Sequence, residues 1–298
     1  PSMSDPPSGG DSLTVGDPPQ LNTSSGVQCF SIDVEDWYHF KIDQQETWNS
    51  HERRVAIGTD FLLAMLERHH VRATCFILAH VAESSPEVVK RIVTAGHEIA
   101  SHGYNHQLIH RQTEKQFEED LKRSIGLIGD LSGQPPAGYR ASSFSVSPKT
   151  PWFWDVLARN GIRWDSSVFP VSNPFYGGVA APVVPHRRPG HDLIEIPITP
   201  VPVMGVGVPF SGGFYFRFHA AGFIRWAADE LRRLGRPAIY YVHPWEYDLD
   251  QPRMELPPHW RFFRYHRLPA MREVTDTVLG SGRFLTMGEL ADSVGKDI

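Results

Sequence analysis

The sequence predicts an α/β fold built on a parallel sheet of about seven strands. Three observations carry that expectation. The chain has 298 residues, 41% of them apolar, enough to bury a large core as one domain. From residue 27 onward, short β-rich runs alternate with longer segments of helical period, the order of βα units. Several of the apolar runs end abruptly in titratable residues, as strands do where they reach the rim of such a sheet.

The strands are expected at 27–33, 72–78, 98–101, 138–140, 162–165, 194–198 and 238–243. Between them, 59–69 is expected to be helical because Phe61, Leu62, Met65 and Leu66 form a helical stripe. Residues 86–95 open on Pro86, suited to a first turn, and stop at Gly96. Further helices are expected at 113–131, at 148–160 closed by Gly161, and at 220–234 closed by Gly235. Residues 170–213, rich in Pro and Gly, read as a long loop with one strand and as a candidate substrate wall. Residues 1–26, rich in Pro, Gly, Ser and Asp, read as a disordered tail with Met3 as the native start, and 27–298 as one domain without internal repeats.

A net charge of -5 with no basic stripe excludes the electrostatic footprint of nucleic-acid binding. The apolar runs fall well short of the roughly 20 residues that span a bilayer. The first residues have no basic segment followed by an apolar one, and Cys29 and Cys75 each sit inside an apolar run. Free thiols in a reducing compartment, and so a cytoplasmic location, are the expectation.

The most informative run is Cys29 to Trp37, where an apolar stretch ends in Asp33, Glu35 and Asp36. Carboxylates delivered to a rim can ligate a metal or move a proton. After the strand at 98–101 come His102 and His106, four apart. On a helix that spacing puts both imidazoles on one face, and with one carboxylate they make a set suited to zinc or another divalent ion. Period-two alternation puts Glu35 on the side of Asp33, whereas a turn would present Asp36, so either acid is a candidate ligand. The chain has fifteen histidines, and most pairs four apart have nothing to do with metals. Arg140, after the strand at 138–140, can hold a neighbouring carboxylate ionised, although in isolation it reads as a surface arginine. His243 ends the run Ile239 to Val242 and is a candidate proton donor near neutral pH. Gly205-Val206-Gly207 lacks the third glycine and following helix of a dinucleotide loop, His97-Glu98 with His102 misses the zincin spacing by one residue, and no G-x-S-x-G elbow occurs.

Taken in order, Asp33-Val34-Glu35-Asp36, His102 to His106, Arg140 to Phe144, Trp164 to Ser167 and Val242-His243 resemble the five motifs of the polysaccharide deacetylases with the NodB homology domain, carbohydrate esterase family 4. His243 to Glu246 with Gln251 to Arg253, Gly212 to Arg217, and Phe263 to Tyr265 are similar to the C-terminal extension, from about residue 200 onward, of the bacterial exopolysaccharide-locus members. The resemblance covers roughly residues 27–292. It implies a distorted (β/α) barrel with fewer than eight strands and hydrolytic removal of acetyl from an N-acetylated sugar, with a divalent metal, usually zinc. It also implies roles: Asp33 as base, His243 as acid, Arg140 orienting Asp33, Asp165 tuning His243, and the Ser143 N–H as oxyanion donor. Tyr241 stands where the family has leucine and would shape the acetyl pocket. Trp245, among the aromatics Trp37, Tyr38, Phe175, Tyr176, Tyr215 and Tyr247, is a candidate for stacking on sugar. Two alternatives remain: a cyclic-amide hydrolase like the metal-free allantoinases of the same branch, and a carbohydrate-binding protein that has lost turnover.

Overall fold

A computed structural model describes residues 26–171 and 181–296. Its strands are β1 (Gln28–Val34), β2 (Thr74–Ile77), β3 (Glu98–Ser101), β4 (Gly138–Tyr139), β5 (Trp164–Asp165), β6 (His186–Arg187), β7 (Ile194–Glu195), β8 (Val201–Val203), β9 (Val206–Val208) and β10 (Ala238–Val242). Eight of them form one curled, half-barrel sheet in the order β10-β1-β2-β3-β4-β5-β7-β6. Every neighbouring pair is parallel except β6 with β7. The seven expected strands are all present, and the eighth is the short antiparallel edge β6. The stretch read as a loop with one strand also contains the antiparallel hairpin β8–β9. The expected tail, and Phe175 and Tyr176, lie outside the described residues.

The helices are α1 (Val55–Arg68), α2 (Ala79–Ser84), α3 (Pro86–Thr94), α4 (Glu114–Ser132), α5 (Phe153–Arg159), α6 (Gly213–Phe218), α7 (Ala221–Arg233), α8 (Pro258–Tyr265), α9 (Ala270–Leu279) and α10 (Met287–Lys296). Local chemistry sets several of their ends. Thr113 and Gln116 form a capping box at the start of α4, and Gly133, at φ 82°, closes it. Pro86 occupies the first turn of α3. Residues 148–152 turn before α5 instead of extending it.

Strand parity divides the core. Phe30, Ile32, Cys75, Ile77, Tyr240 and Val242 pack on one face of the sheet against Leu62, Leu66, Val88, Ile224, Leu231 and Val274 from the helices. Cys29, Phe76, Ile239 and Tyr241 point to the other face, where α10 supplies Met287, Leu290 and Val294. β1 is buried along all seven residues, as a central strand covered on both faces must be. Cys29 and Cys75 are both buried free thiols, and burial pushes each thiol well up. No helix among the described residues is long and apolar enough to cross a membrane.

Candidate active site

The carboxyl ends of β1, β3, β4 and β10 open into one cavity of about 650 Å³ lined by Asp33, Glu35, His102, His106, Ser143, Tyr241, His243 and Trp245, among others. Asp33, in the last turn of pleat of β1, is 3% exposed. Arg140, wholly buried after β4, donates from Nη1 to Asp33 Oδ1 at 2.6 Å and to Ser31 Oγ at 2.9 Å. Ser166 takes two more of its N–H groups, and its plane lies 3.9 Å from the Phe76 ring centre. Burial alone would raise the Asp33 carboxyl, but the Arg140 charge, with His102 and His243 adding to it, holds it below the usual range. Arg140 is thus a fixed counter-ion and no surface residue.

Glu35, His102 and His106 each offer a ligand atom, and these atoms lie within 4.8 Å of one another. His106 Nε2 is 3.5 Å from Glu35 Oε2. His102 Nδ1 lies 2.8 Å from the Arg140 carbonyl, a bond that leaves Nε2 with the lone pair, and burial lowers this imidazole to about 4. Two imidazoles and one carboxylate, buried together, fit a single divalent ion, and the buried Nδ1 of His106 has no hydrogen-bond partner.

The histidine pair converges without the helix its spacing suggested. His102 leaves β3 in extended backbone, Gly103 turns the chain at φ 75°, and His106 itself is left-handed at φ 52°. Asp120 on α4 holds that loop by accepting the N–H groups of Tyr104 and Asn105 at 2.8 and 3.0 Å. The two rings end 5.2 Å apart.

Of the two acids proposed as the third ligand, Glu35 reaches the histidines and Asp36 turns away. Asp36 Oδ1 accepts from Trp37 N at 2.8 Å, and Oδ2 accepts from Arg54 N and Val55 N at 2.7 and 2.9 Å. It therefore caps the start of α1, where Arg54 has no side chain able to do so. Burial raises it to about 6 against those three bonds.

His243 follows β10 with its Nε2 3.4 Å from Glu35 Oε1 and 4.0 Å from Asp33 Oδ2. Its Nδ1 lies 3.1 Å from Glu246 Oε2, not against Asp165. Asp165 instead accepts from Ser167 Oγ at 2.5 Å and shares its buried surroundings with Glu195. Burial raises both acids, and their mutual repulsion raises Glu195 well above the carboxylate range. The expectation that Asp165 tunes His243 is corrected on this geometry. Burial opposes the charge on His243, but Glu246, with Glu35 and Asp33 adding, raises it to about 9.

Glu246 and its partner Arg217 stood in the sequence only as ends of segments similar to the C-terminal extension, with no role assigned to either. Arg217, buried on α6, reaches Glu246 Oε1 at 3.2 Å and is itself anchored to the carbonyls of Gly213, Phe263, Arg264 and His266. The available signal was local: Pro244 followed by Glu246 is the start of a helical turn whose third residue reaches back to the cap, here His243. Gly213 has no room for a side chain because a Cβ there would lie 1.7 Å from Glu246 Oε1.

Ser143 lines the cavity in a left-handed turn at φ 52°, followed by Phe144 at 49°. Two consecutive non-glycine residues in that region are backbone strain held by the surrounding fold. Tyr241 packs edge-on against Phe144 at 5.1 Å, and Trp245 stacks on His243 at 5.5 Å. Tyr215 also lines the cavity, whereas Trp37, Tyr38 and Tyr247 are core residues.

Residues 56–163 match the family model "Polysaccharide deacetylase", and 166–292 match "Domain of unknown function (DUF3473)". The chain is 38% identical over 112 residues to the peptidoglycan deacetylase of Helicobacter pylori, a match covering 38% of this chain and 37% of that protein. It thus spans little more than a third of that relative's length. A Mycobacterium smegmatis protein assigned as a polysaccharide deacetylase shares the fold at TM-score 0.63 and 20% identity, over 92% of this chain and 91% of the other. An allantoinase shares it at TM-score 0.59 and 17% identity, over 93% and 94%. With the two models meeting end to end and the motif residues gathered around one cavity, the chain carries a polysaccharide deacetylase domain of the NodB homology type, carbohydrate esterase family 4.

Proposed function

We propose that the protein is a metal-dependent hydrolase that removes the acetyl group from an N-acetylated amino sugar in a polysaccharide or its biosynthetic precursor. The observation that carries this reading is the convergence of a carboxylate and an imidazole beside one potential metal centre. Asp33 and His243 both face the Glu35, His102 and His106 cluster, with 4.0 Å between His243 Nε2 and Asp33 Oδ2. The peptidoglycan deacetylase of Helicobacter pylori, similar over 112 residues of the chain, supports the same chemistry.

A divalent ion held by Glu35, His102 and His106, with zinc best suited to two imidazoles and a carboxylate, would polarise the acetyl carbonyl and acidify water at neutral pH. Asp33, kept ionised and aimed by Arg140, takes the proton of the attacking water. His243, kept protonated by Glu246, gives a proton to the departing amine, so that the C–N bond breaks to acetate and free amine. The N–H of Ser143, in its strained turn, donates to the oxygen that gains charge. Tyr241 and Phe144 form the apolar wall for the acetyl methyl, and Trp245 offers a face to the sugar.

The test is acetate release from chitin oligomers, peptidoglycan fragments and nucleotide sugars by the zinc-loaded protein, with cyclic ureides as a control. Release that stops on chelation and returns with zinc is the expected result. Undiminished release from a metal-stripped protein in which His102 and His106 are both Ala sinks the reading.

A further inference from the structure

Three arginines line the cavity, and two of them have acid partners: Arg111 pairs with Asp43 at 2.8 Å and Arg217 with Glu246 at 3.2 Å. Arg264, on α8, has no acid within salt-bridge distance among the described residues, although it is as deeply set as the site itself. It is 3% exposed, beside 3% for Asp33, 2% for His102 and 5% for Glu35. Its Nη2 donates to the Trp37 carbonyl at 2.5 Å, and its buried Nε has no hydrogen-bond partner. The guanidinium lies 4.0 Å from the ring centre of Trp245, which in turn stacks on His243.

A buried cation with no acid at ion-pair distance is costly, and a guanidinium on the wall of a cavity marks a place where an anionic partner can dock. The acids lining the cavity cannot supply it. Asp33 is engaged by Arg140, Glu246 by Arg217 and His243, and Glu35 by His106 and His243. A divalent ion at the cluster would leave the cavity more positive still.

We infer that the substrate carries an anionic group close to its N-acetyl group, and that Arg264 receives it. The planar guanidinium, backed by Trp245, suits a carboxylate or a phosphate oxygen pair, which is the recognition arginine performs better than lysine. The chemistry is shared by an acidic sugar neighbour in the glycan and by a phosphate at the reducing end of a precursor. This inference rests on the deacetylase reading and narrows its substrate.

The deciding experiment compares kcat/KM of the zinc-loaded protein on three substrates: a neutral chitin oligomer, an oligosaccharide of equal length alternating N-acetylglucosamine with glucuronate, and N-acetylglucosamine 1-phosphate. An advantage of about tenfold or more for one anionic substrate is expected, the worth of a charge-assisted hydrogen bond. The glucuronate arm winning identifies a carboxylate, the phosphate arm a phosphate. In Arg264→Gln the ratio of anionic to neutral kcat/KM should fall towards one. Acetate release at equal or better efficiency from the neutral oligomer overturns the inference and leaves the deacetylase reading standing. Release from none of the three overturns both. A wild-type advantage that survives intact in Arg264→Gln removes Arg264 from the role. Should that variant fail to fold, the wild-type ratio still decides.

Discussion

Glu246 holds His243 twice, accepting the backbone N–H at 3.0 Å and lying 3.1 Å from Nδ1 with the same oxygen. A side chain fixed to both the backbone and the ring of its neighbour sets the ring's tautomer as well as its direction.

Glu246→Gln should therefore lower kcat by about tenfold or more while leaving KM near its wild-type value, because the acid is misaligned and less charged but the cavity wall is unchanged. The same variant strands Arg217 in the interior and should cost about 3–5 kcal/mol of stability. Adding Arg217→Met should restore part of that stability without restoring kcat. Denaturant melts and steady-state kinetics on the single and double variants check both halves, and a change confined to KM contradicts the positioning role.

The two neighbouring acids should separate cleanly on substitution. Glu35→Gln is expected to lose bound metal, read by elemental analysis, with little loss of fold. Asp36→Ala should keep the metal and lose about 2 kcal/mol or more, since the N–H groups of Arg54 and Val55 at the head of α1, and that of Trp37, lose their acceptor. The reverse assignment of effects would mean the acids have been read in the wrong order.

Asp33→Asn should retain metal and reduce acetate release by about 10²- to 10⁴-fold, the range of a general base. Metal content and turnover measured on one preparation distinguish this from a ligand, whose loss would empty the site as well.

Asp165 and Glu195 give a pH signature away from the proposed metal site. Both carboxyls are raised in the folded protein, so the folded state binds more protons than the unfolded chain, and their stabilising contribution, complete below about pH 4, is lost as pH rises through their folded values. Glu195→Gln imitates the protonated acid, whose side chain faces Asp165 while Val168 N donates to it at 3.1 Å. The wild-type Tm should fall relative to that of Glu195→Gln between pH 5 and pH 8, and parallel curves would refute the proton linkage.

The residues that end apolar runs were legible together, because several buried strands that stop in titratable groups such as Asp33 and His243 announce one rim, although a lone histidine would not. Arg140, a surface arginine when taken alone, was legible only through the motif order it shares with the family. What the sequence could not show were relations set by distant segments. The choice between Glu35 and Asp36 depends on where α1 begins, since Arg54 N, at the helix cap 18 residues beyond Asp36, is one of the donors that claims it. The spacing of His102 and His106 suggested a helix, yet Gly103 and the Asp120 carboxylate build a loop that brings the same rings together. Asp165 sits next to Ser167 in sequence and next to Glu195 in space, and only the second fact moves it away from His243. The short helices α2, α6 and α8 were missed because six to eight residues carry too little period to be read against the noise.

The pairing of β1 with the edge strand β10 joins residues 28–32 to residues 238–242, so that this contact closes a loop of most of the chain. A growing polypeptide that has emerged as far as Arg140 already holds Asp33, Glu35, His102 and His106, but it lacks His243, the proposed proton donor, and one wall. Contacts so distant in sequence form late and slowly, since their loop entropy must be lost before they stabilise anything. Catalytic competence would then arrive with the last strand, and a ribosome-bound or C-terminally truncated chain would capture metal well before it could complete a turnover.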